Sequence, residues 1–232
     1  MTTETDVDRN RTARRAGLLY LLMMPLGVFG IVYVPTVLRV RGDASQTAER
    51  IAASEWLFRS GIVSHLLTQI VLVFLVLTLF QLLQAVNERH ARLMVILALL
   101  SVPVAMLSEL GHLAALILLD APAGGPFTPA QLHAQAMTFL DLRTQGILVA
   151  QIFWGLWLLP LGVLVYRSGF IPRAIGVLLV IAGVGYFLDS MTQLLAPGFP
   201  VVSLVTFVGE VALALWLLIR GAGTGLRPAV VS

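Results

Sequence analysis

Two ionisable side chains stand three residues apart inside a long apolar stretch, and they are the most informative feature of the sequence. Glu109 and His112 are the sole ionisable residues between Arg92 and Asp120. A carboxylate and an imidazole at this spacing lie on one face of a helix. Together they can exchange protons, hold a polar ligand or supply two ligands to a metal ion. Ionisable groups are rare in apolar helices, so the pair predicts a functional site.

Other apolar stretches carry polar side chains that could join this pair. His65 and Gln69 lie one helical turn apart in one stretch, and Asp189 and Glu210 each lie in a later one. At a rise of 1.5 Å per residue, these groups fall at a similar depth in their helices. The predicted ligand-binding or intramembrane polar cluster consists of Arg59, His65, Gln69, Glu109, His112, Asp141, Arg143, Asp189 and Glu210.

Three interpretations of this cluster are open. In the first, the charges pair with one another and only fix the helix register, with Arg59 or Arg143 neutralising a carboxylate such as Glu109. In the second, the residues line a water-accessible cavity that binds a small molecule, a proton or a lipid headgroup. In the third, some of them hold a metal ion.

The candidate metal ligands are His65, Glu109 and His112, because two imidazoles and a carboxylate suit zinc or iron. Glu-x-x-His on a helix also occurs in di-iron helical bundles. Those bundles use the motif twice, whereas this chain contains it once. We therefore predict neither a metal nor another cofactor.

Several chemistries lack the residues they require. The chain has no Cys, which excludes a thiol nucleophile and a thiolate metal site. No glycine-rich phosphate loop and no nucleophile elbow is present. The fifteen basic residues are all Arg and lie between apolar runs, a pattern of membrane topology and not of nucleic-acid binding. The sequence does not decide whether the protein is an enzyme. The absence of these catalytic motifs favours a protein that is not an enzyme.

The composition is that of a membrane protein. Hydrophobic residues make up 58% of the chain and charged residues 12%, and the mean hydropathy is +0.92. Soluble domains contain roughly 45–50% apolar and about 25% charged residues. Lipid is therefore the expected partner of most of the surface. The sequence gives no basis for an oligomeric state.

The apolar runs predict an all-α bundle of six transmembrane helices, since a run of about 20 apolar residues crosses a bilayer. One short amphipathic helix is expected after the first span, capped by Asp43 or Ser45, and another before the fourth. We expect a disordered tail over residues 1–15, a single membrane domain over 16–220 and a second tail over 221–232. The predicted spans are 17–38, 57–86, 92–120, 146–166, 172–195 and 201–219.

The distribution of Arg predicts the orientation in the membrane. Ten Arg residues flank the side that carries both termini, against five on the other side. Because positively charged residues concentrate on the cytoplasmic side, both termini are expected in the cytoplasm. The polar cluster then falls in the outer half of the bundle.

Five phrases resemble a bacterial integral-membrane family known as a domain of unknown function, DUF4386. They are RAGLLY at 15–20, FRSGI at 58–62, YRSGFIPR at 166–173, GYFLDS at 185–190 and GEVALALW at 209–216. The resemblance implies that Arg59, Asp189 and Glu210 match the family pattern. That pattern often has an acidic residue in place of His65 and a His near Arg143, and these departures weaken a metal site built on His65.

The resemblance supports the fold and adds no reaction. We expect a multi-pass protein of the bacterial inner membrane, whose polar cavity binds a small molecule, a proton or a lipid headgroup. An intramembrane enzyme, with or without a metal, and a structural or assembly protein without a ligand are the alternatives.

Overall fold

The computed structural model describes residues 4–122, 125–196, 198 and 207–222, and within these residues the chain is helical and contains no strand. A π-helical segment, Val28–Tyr33, joins the first two helices. The helices are α1 Glu4–Gly27, α2 Val34–Leu38, α3 Ala44–Ala53, α4 Glu55–Leu83, α5 Glu88–Ser108, α6 Leu110–Leu119, α7 Pro129–Arg167, α8 Arg173–Leu195 and α9 Val208–Ile219. The predicted all-α class is confirmed.

Five helical stretches of the described chain are long and apolar enough to cross a membrane. They are Val7–Leu38, Glu55–Leu83, Glu88–Leu119, Pro129–Arg167 and Arg173–Leu195. A sixth apolar helix, α9, has 12 residues, and positions 201–206 of the predicted sixth span lie outside the described residues. The protein is thus a helical membrane protein with at least five candidate spans.

The outer face of α4 shows why these helices need lipid. Val63, Leu67, Ile70, Phe74 and Leu77 recur at helical spacing, and each is between 43% and 58% exposed. Residues three and four apart lie on one face of a helix, so the five side chains form a continuous apolar stripe. Water would be a poor solvent for such a surface, whereas hydrocarbon is a good one.

The two predicted amphipathic helices have different outcomes. α3 forms as expected, with Asp43 Oδ1 accepting a hydrogen bond from the Gln46 amide at 2.8 Å and with Ala48 and Ile51 buried. The second is not a separate helix, because α7 runs without a break from Pro129 to Arg167. Thr128 and Pro129 do mark its start, as their residue types predict.

The N-terminal segment is helical from Glu4, whereas a disordered tail was expected over residues 1–15. Contacts within the fold explain the difference. The guanidinium of Arg9 lies 5.3 Å from the centre of the Phe170 ring, and the Ala222 amide donates to Asn10 Oδ1 at 3.2 Å. Ala13 is fully buried. A prediction from the local sequence cannot detect partners that are so distant in the chain.

The chain divides into two compact units, which we describe separately. The first unit comprises Met1–Leu22, Val71–Val102 and Ala150–Ser232, and the second comprises Met23–Ile70 and Pro103–Val149. In the first unit α7 and α8 approach at glycines: a Cβ on Gly155 would lie 2.5 Å from the Gly183 carbonyl oxygen. The second unit has an apolar core of Val34, Leu38, Ile51, Phe58, Ile62, Ala115, Leu116, Ala136 and Leu140.

Candidate functional site

Glu109 is the centre of a buried polar network in the second unit. It lies at the break between α5 and α6, where its amide donates to the Met106 carbonyl at 3.1 Å, a bond three residues back. The third predicted span is therefore two helices that meet at this residue. Glu109 is 1% exposed, so its carboxylate depends on protein partners for every hydrogen bond.

Three side chains from three helices bond to the Glu109 carboxylate. His65 Nδ1 lies 2.6 Å from Oε1, and His112 Nδ1 lies 2.7 Å from Oε2. Arg143 donates to Oε1 from Nη2 at 2.9 Å and from Nε at 3.0 Å. A guanidinium stays protonated in proteins, so Arg143 compensates the carboxylate charge. We name this set, together with Gln69, the Glu109 network.

Close packing of α6 on α7 brings Arg143 to Glu109. A Cβ added to Gly111 would lie 2.6 Å from the Phe139 carbonyl oxygen and 2.8 Å from Arg143 Cβ. No side chain larger than hydrogen fits at that distance without a shift of the backbone. The sequence Glu109-Leu110-Gly111-His112 thus combines two bonding side chains with the glycine that lets their partner approach.

The π-helical segment supplies a further acceptor for Arg143. The Val34 amide donates to the Phe29 carbonyl, five residues back, and the same register would make residue 35 the donor to Gly30. Pro35 has no N–H. The Gly30 carbonyl lies 3.5 Å from Arg143 Nη2 instead. π-helical turns are rare and frequent at functional sites, and sequence periodicity did not predict this one.

The far side of the network contains an unsatisfied polar atom. Gln69 Nε2 lies 3.1 Å from His65 Nε2, and Gln69 is 1% exposed. Its Oε1 has no hydrogen-bond partner among the residues that the structure describes. Such atoms are uncommon because each carries a desolvation cost of about 1–3 kcal/mol.

A pocket of about 30 Å³ borders the network within the second unit. That volume has room for one or two water-sized groups. His112 bonds to Glu109 through Nδ1, whereas its Nε2 has no hydrogen-bond partner in the described part of the chain. The Phe58 ring packs edge-on against the imidazole, with 4.8 Å between the two ring centres. The lining residues are Pro35, Leu38, Arg39, Thr47, Ile51, Phe58, His112, Leu140, Arg143 and Thr144.

The fixed imidazole of His112 defines what the site can do chemically. A carboxylate on Nδ1 holds that nitrogen as the donor and leaves Nε2 as the acceptor. An acceptor at the edge of a pocket can bind a hydroxyl or amine hydrogen, and it can also take a proton.

The candidate metal ligands His65, Glu109 and His112 bond to one another. Both Nδ1 atoms point at oxygens of the same carboxylate. No group of three or more His, Asp or Glu side chains in the described ranges has an arrangement that could hold a metal ion. The three residues form a hydrogen-bonded network in this structure.

Two predicted residues of the second unit, Arg59 and Asp141, lie outside the network. Arg59 pairs with Glu55 at 2.5 Å, one turn away on α4, and its side chain is 47% exposed. Asp141 pairs with Arg39 and is 62% exposed. Both face outward because helix rotation depends on tertiary packing, which depth along a helix does not reveal.

Glu210 and Asp189 belong to the first unit, where Glu210 has its own partners. Tyr20 donates to Oε2 and Tyr186 to Oε1, each at 3.0 Å. Glu210 is 5% and Asp189 2% exposed. Of the nine predicted residues, five thus form the Glu109 network of the second unit, and Asp189 and Glu210 are buried in the first unit. Sequence reasoning missed both tyrosines, although each lies in one of the phrases that carry the family resemblance.

The comparisons identify relatives of the chain. A family profile described as "Domain of unknown function (DUF4386)" matches residues 15–221. An uncharacterised protein of Archaeoglobus fulgidus is 44% identical over 71 residues, which are 30% of this chain and 43% of that protein. The match therefore spans less than half of that relative's length. No solved structure matches the chain.

Proposed function

The chain belongs to the DUF4386 family, and from that premise we propose that it is a six-span membrane protein that binds a small polar ligand beside His112. The ligand presents a hydrogen-bond donor, such as a hydroxyl group, to Nε2 of the imidazole. The ligand is a small molecule or the headgroup of a lipid.

The sixth span of this proposal rests on α9 and on the apolar sequence that precedes it. The 12 residues of α9 reach about 18 Å at 1.5 Å per residue, short of a hydrocarbon core of about 30 Å. Positions 201–206 continue the apolar sequence, with Val and Leu among Ser and Thr. An even number of spans agrees with an Arg excess at both termini, which supports a cytoplasmic location for both in a bacterial inner membrane.

The observations that carry the binding function are that His112 lines the pocket and that its Nδ1 is held by Glu109, which leaves Nε2 as the acceptor. Glu109 fixes the ring through Nδ1 at 2.7 Å, so the acceptor direction is set before any ligand arrives. Such preorganisation lowers the cost of binding. The lining is apolar at Leu38, Phe58 and Leu140, which suits the carbon atom that carries the ligand's hydroxyl group.

A role as an intramembrane enzyme is the second candidate, and the same dyad favours it. A carboxylate on Nδ1 is the arrangement that holds an imidazole as a general base for catalysis. Water in the pocket would be the group activated. Glu109 itself has both oxygens engaged by protein donors, which supports a positioning role for the carboxylate and assigns the ligand contact to His112.

Thermal unfolding of the purified protein in detergent tests the proposal with methanol, ethanolamine and ethylene glycol, each at millimolar concentration, as probes whose hydroxyl group is small enough for the pocket. At least one probe is expected to raise the Tm of the wild type. His112→Gln should abolish the increase, because the amide cannot replace the fixed acceptor. His133→Gln, a change at an exposed imidazole near Ser45, is the control and should respond like the wild type. Equal responses in both variants, or no response in the wild type, would contradict the proposal.

A further inference from the structure

Glu210 is a buried carboxyl group that has two phenols for partners. The hydroxyl groups of Tyr20 and Tyr186 each lie 3.0 Å from one of its oxygens. The side chain has no ion pair with any residue in the described ranges. A carboxylate without a compensating cation is costly in an apolar environment, and such residues in membrane helices frequently handle protons or ions.

Glu210 and Glu109 differ in the type of their hydrogen-bond partners. Both residues are glutamates and both are buried, but Arg143 donates to Glu109 at 2.9 Å. A guanidinium donates hydrogen bonds and accepts none, so a proton on Oε1 of Glu109 would displace a bond. A phenol hydroxyl both donates and accepts. Each tyrosine can therefore bond to Glu210 in either protonation state.

We propose that Glu210 is a proton-binding site whose carboxyl group carries a proton in the folded protein and exchanges it while Tyr20 and Tyr186 keep their hydrogen bonds. When the carboxylate gains a proton, one tyrosine changes from donor to acceptor and the other still donates. No side chain has to move between the two states.

Among the residues that the structure describes, the groups around Glu210 bring no positive charge to it. On α1 the facing group is Tyr20, whose ring stacks on Trp157 of α7 at 6.3 Å. On α8 the facing groups are Tyr186 and, one turn further along, Asp189, which acts electrostatically on Tyr186. A phenol, an indole and a second carboxyl group cannot neutralise a carboxylate, so a proton is the simplest compensating charge.

A metal cation fits this site less well than a proton. Calcium takes six to eight oxygen ligands and magnesium takes six in a near-octahedral set. Glu210, Tyr20 and Tyr186 offer four side-chain oxygens, and both phenol oxygens lie at hydrogen-bond distance from the carboxyl group. A proton needs only one oxygen.

Infrared spectroscopy of the full-length protein in lipid nanodiscs tests the proposal. The spectra are recorded in H₂O and in D₂O, and the difference between them is taken. A protonated carboxyl group gives a C=O stretching band that is separate from carboxylate bands and shifts in D₂O. We expect this band in the wild type, its loss in Glu210→Gln and its retention in Asp189→Asn, the control for the neighbouring carboxyl group. Tyr20→Phe should keep the band but move it, because one hydrogen bond to the group is lost.

Either of two spectra would overturn the assignment: no protonated-carboxyl band in the wild type, or a band that persists in Glu210→Gln. If Glu210→Gln does not fold, the position of the band in Tyr20→Phe tests the assignment instead. A band at the wild-type position in that variant would reject Glu210 as the site. Stabilisation by sodium or potassium chloride over choline chloride, lost in Glu210→Gln, would assign a metal cation and reject the proton.

Discussion

Arg143 donates two hydrogen bonds to one oxygen of Glu109, with Nη2 at 2.9 Å and Nε at 3.0 Å from Oε1. The two side chains are 5% and 2% exposed. Coulombic attraction is strong where water is excluded, and the pairing lets an apolar unit hold a carboxylate that orients two imidazoles. The stability of the second unit should therefore depend on this pair.

Removing the charge of Glu109 should destabilise the protein strongly. Glu109→Gln leaves the Arg143 guanidinium buried without a counter-charge, and breaking a buried pair typically costs about 3–5 kcal/mol. Thermal unfolding in detergent, followed by circular dichroism, measures the loss.

Asp141→Asn is the matched control for that charge removal. Asp141 pairs with Arg39 at a side chain that is 62% exposed, and exposed pairs contribute about 0–1 kcal/mol. A similar loss of thermal stability in the two variants would show that the buried pair contributes no more than the exposed pair.

A methyl group at Gly111 should also destabilise the second unit. Alanine normally favours a helix over glycine by about 1 kcal/mol, but here its Cβ would lie 2.6 Å from the Phe139 carbonyl oxygen. Overpacking of this kind costs about 1–3 kcal/mol, so Gly111→Ala should lower the Tm. Gly125→Ala is the control, since its nearest atom, the Pro122 carbonyl oxygen, is 3.6 Å away. A Tm of Gly111→Ala at or above the wild-type value would contradict the packing described for α6 and α7.

Local patterns predicted the helices well, because apolar runs and caps are short-range features. α8 begins at Arg173 and ends at Leu195 as expected, and Asp43 caps α3. The choice between Arg59 and Arg143 as the partner of Glu109 could not be made from the sequence. Each residue turns a helix by about 100°, so which side chain faces inward depends on packing between helices.

The partners of Glu210 illustrate the same limit. Tyr20 is 190 residues away in the chain, and a tyrosine in an apolar helix has no pattern of its own that separates packing from hydrogen bonding. Residue spacing likewise did not predict the break at Glu109 or the π-helical segment.

Reporter fusions test the topology that the Arg asymmetry predicts. An enzyme that is active only outside the cytoplasm should be silent when fused after Ile219 and active when inserted in the loop between Asp120 and Thr128. The same insertion between Leu83 and Glu88 should be silent and serves as the internal control. Activity of the C-terminal fusion would reverse the proposed orientation.

The central claim is that His112 presents an acceptor nitrogen to a ligand, and nitrogen NMR of histidine observes that atom directly. The chain contains four His residues, so ¹⁵N-histidine labelling in nanodiscs gives few signals, and His112→Gln assigns the relevant one. On titration with the probe that stabilises the protein most, the Nε2 signal of His112 should shift and saturate while the signals of His90 and His133 stay in place. An unchanged His112 signal, or equal shifts at all histidines, would contradict the account.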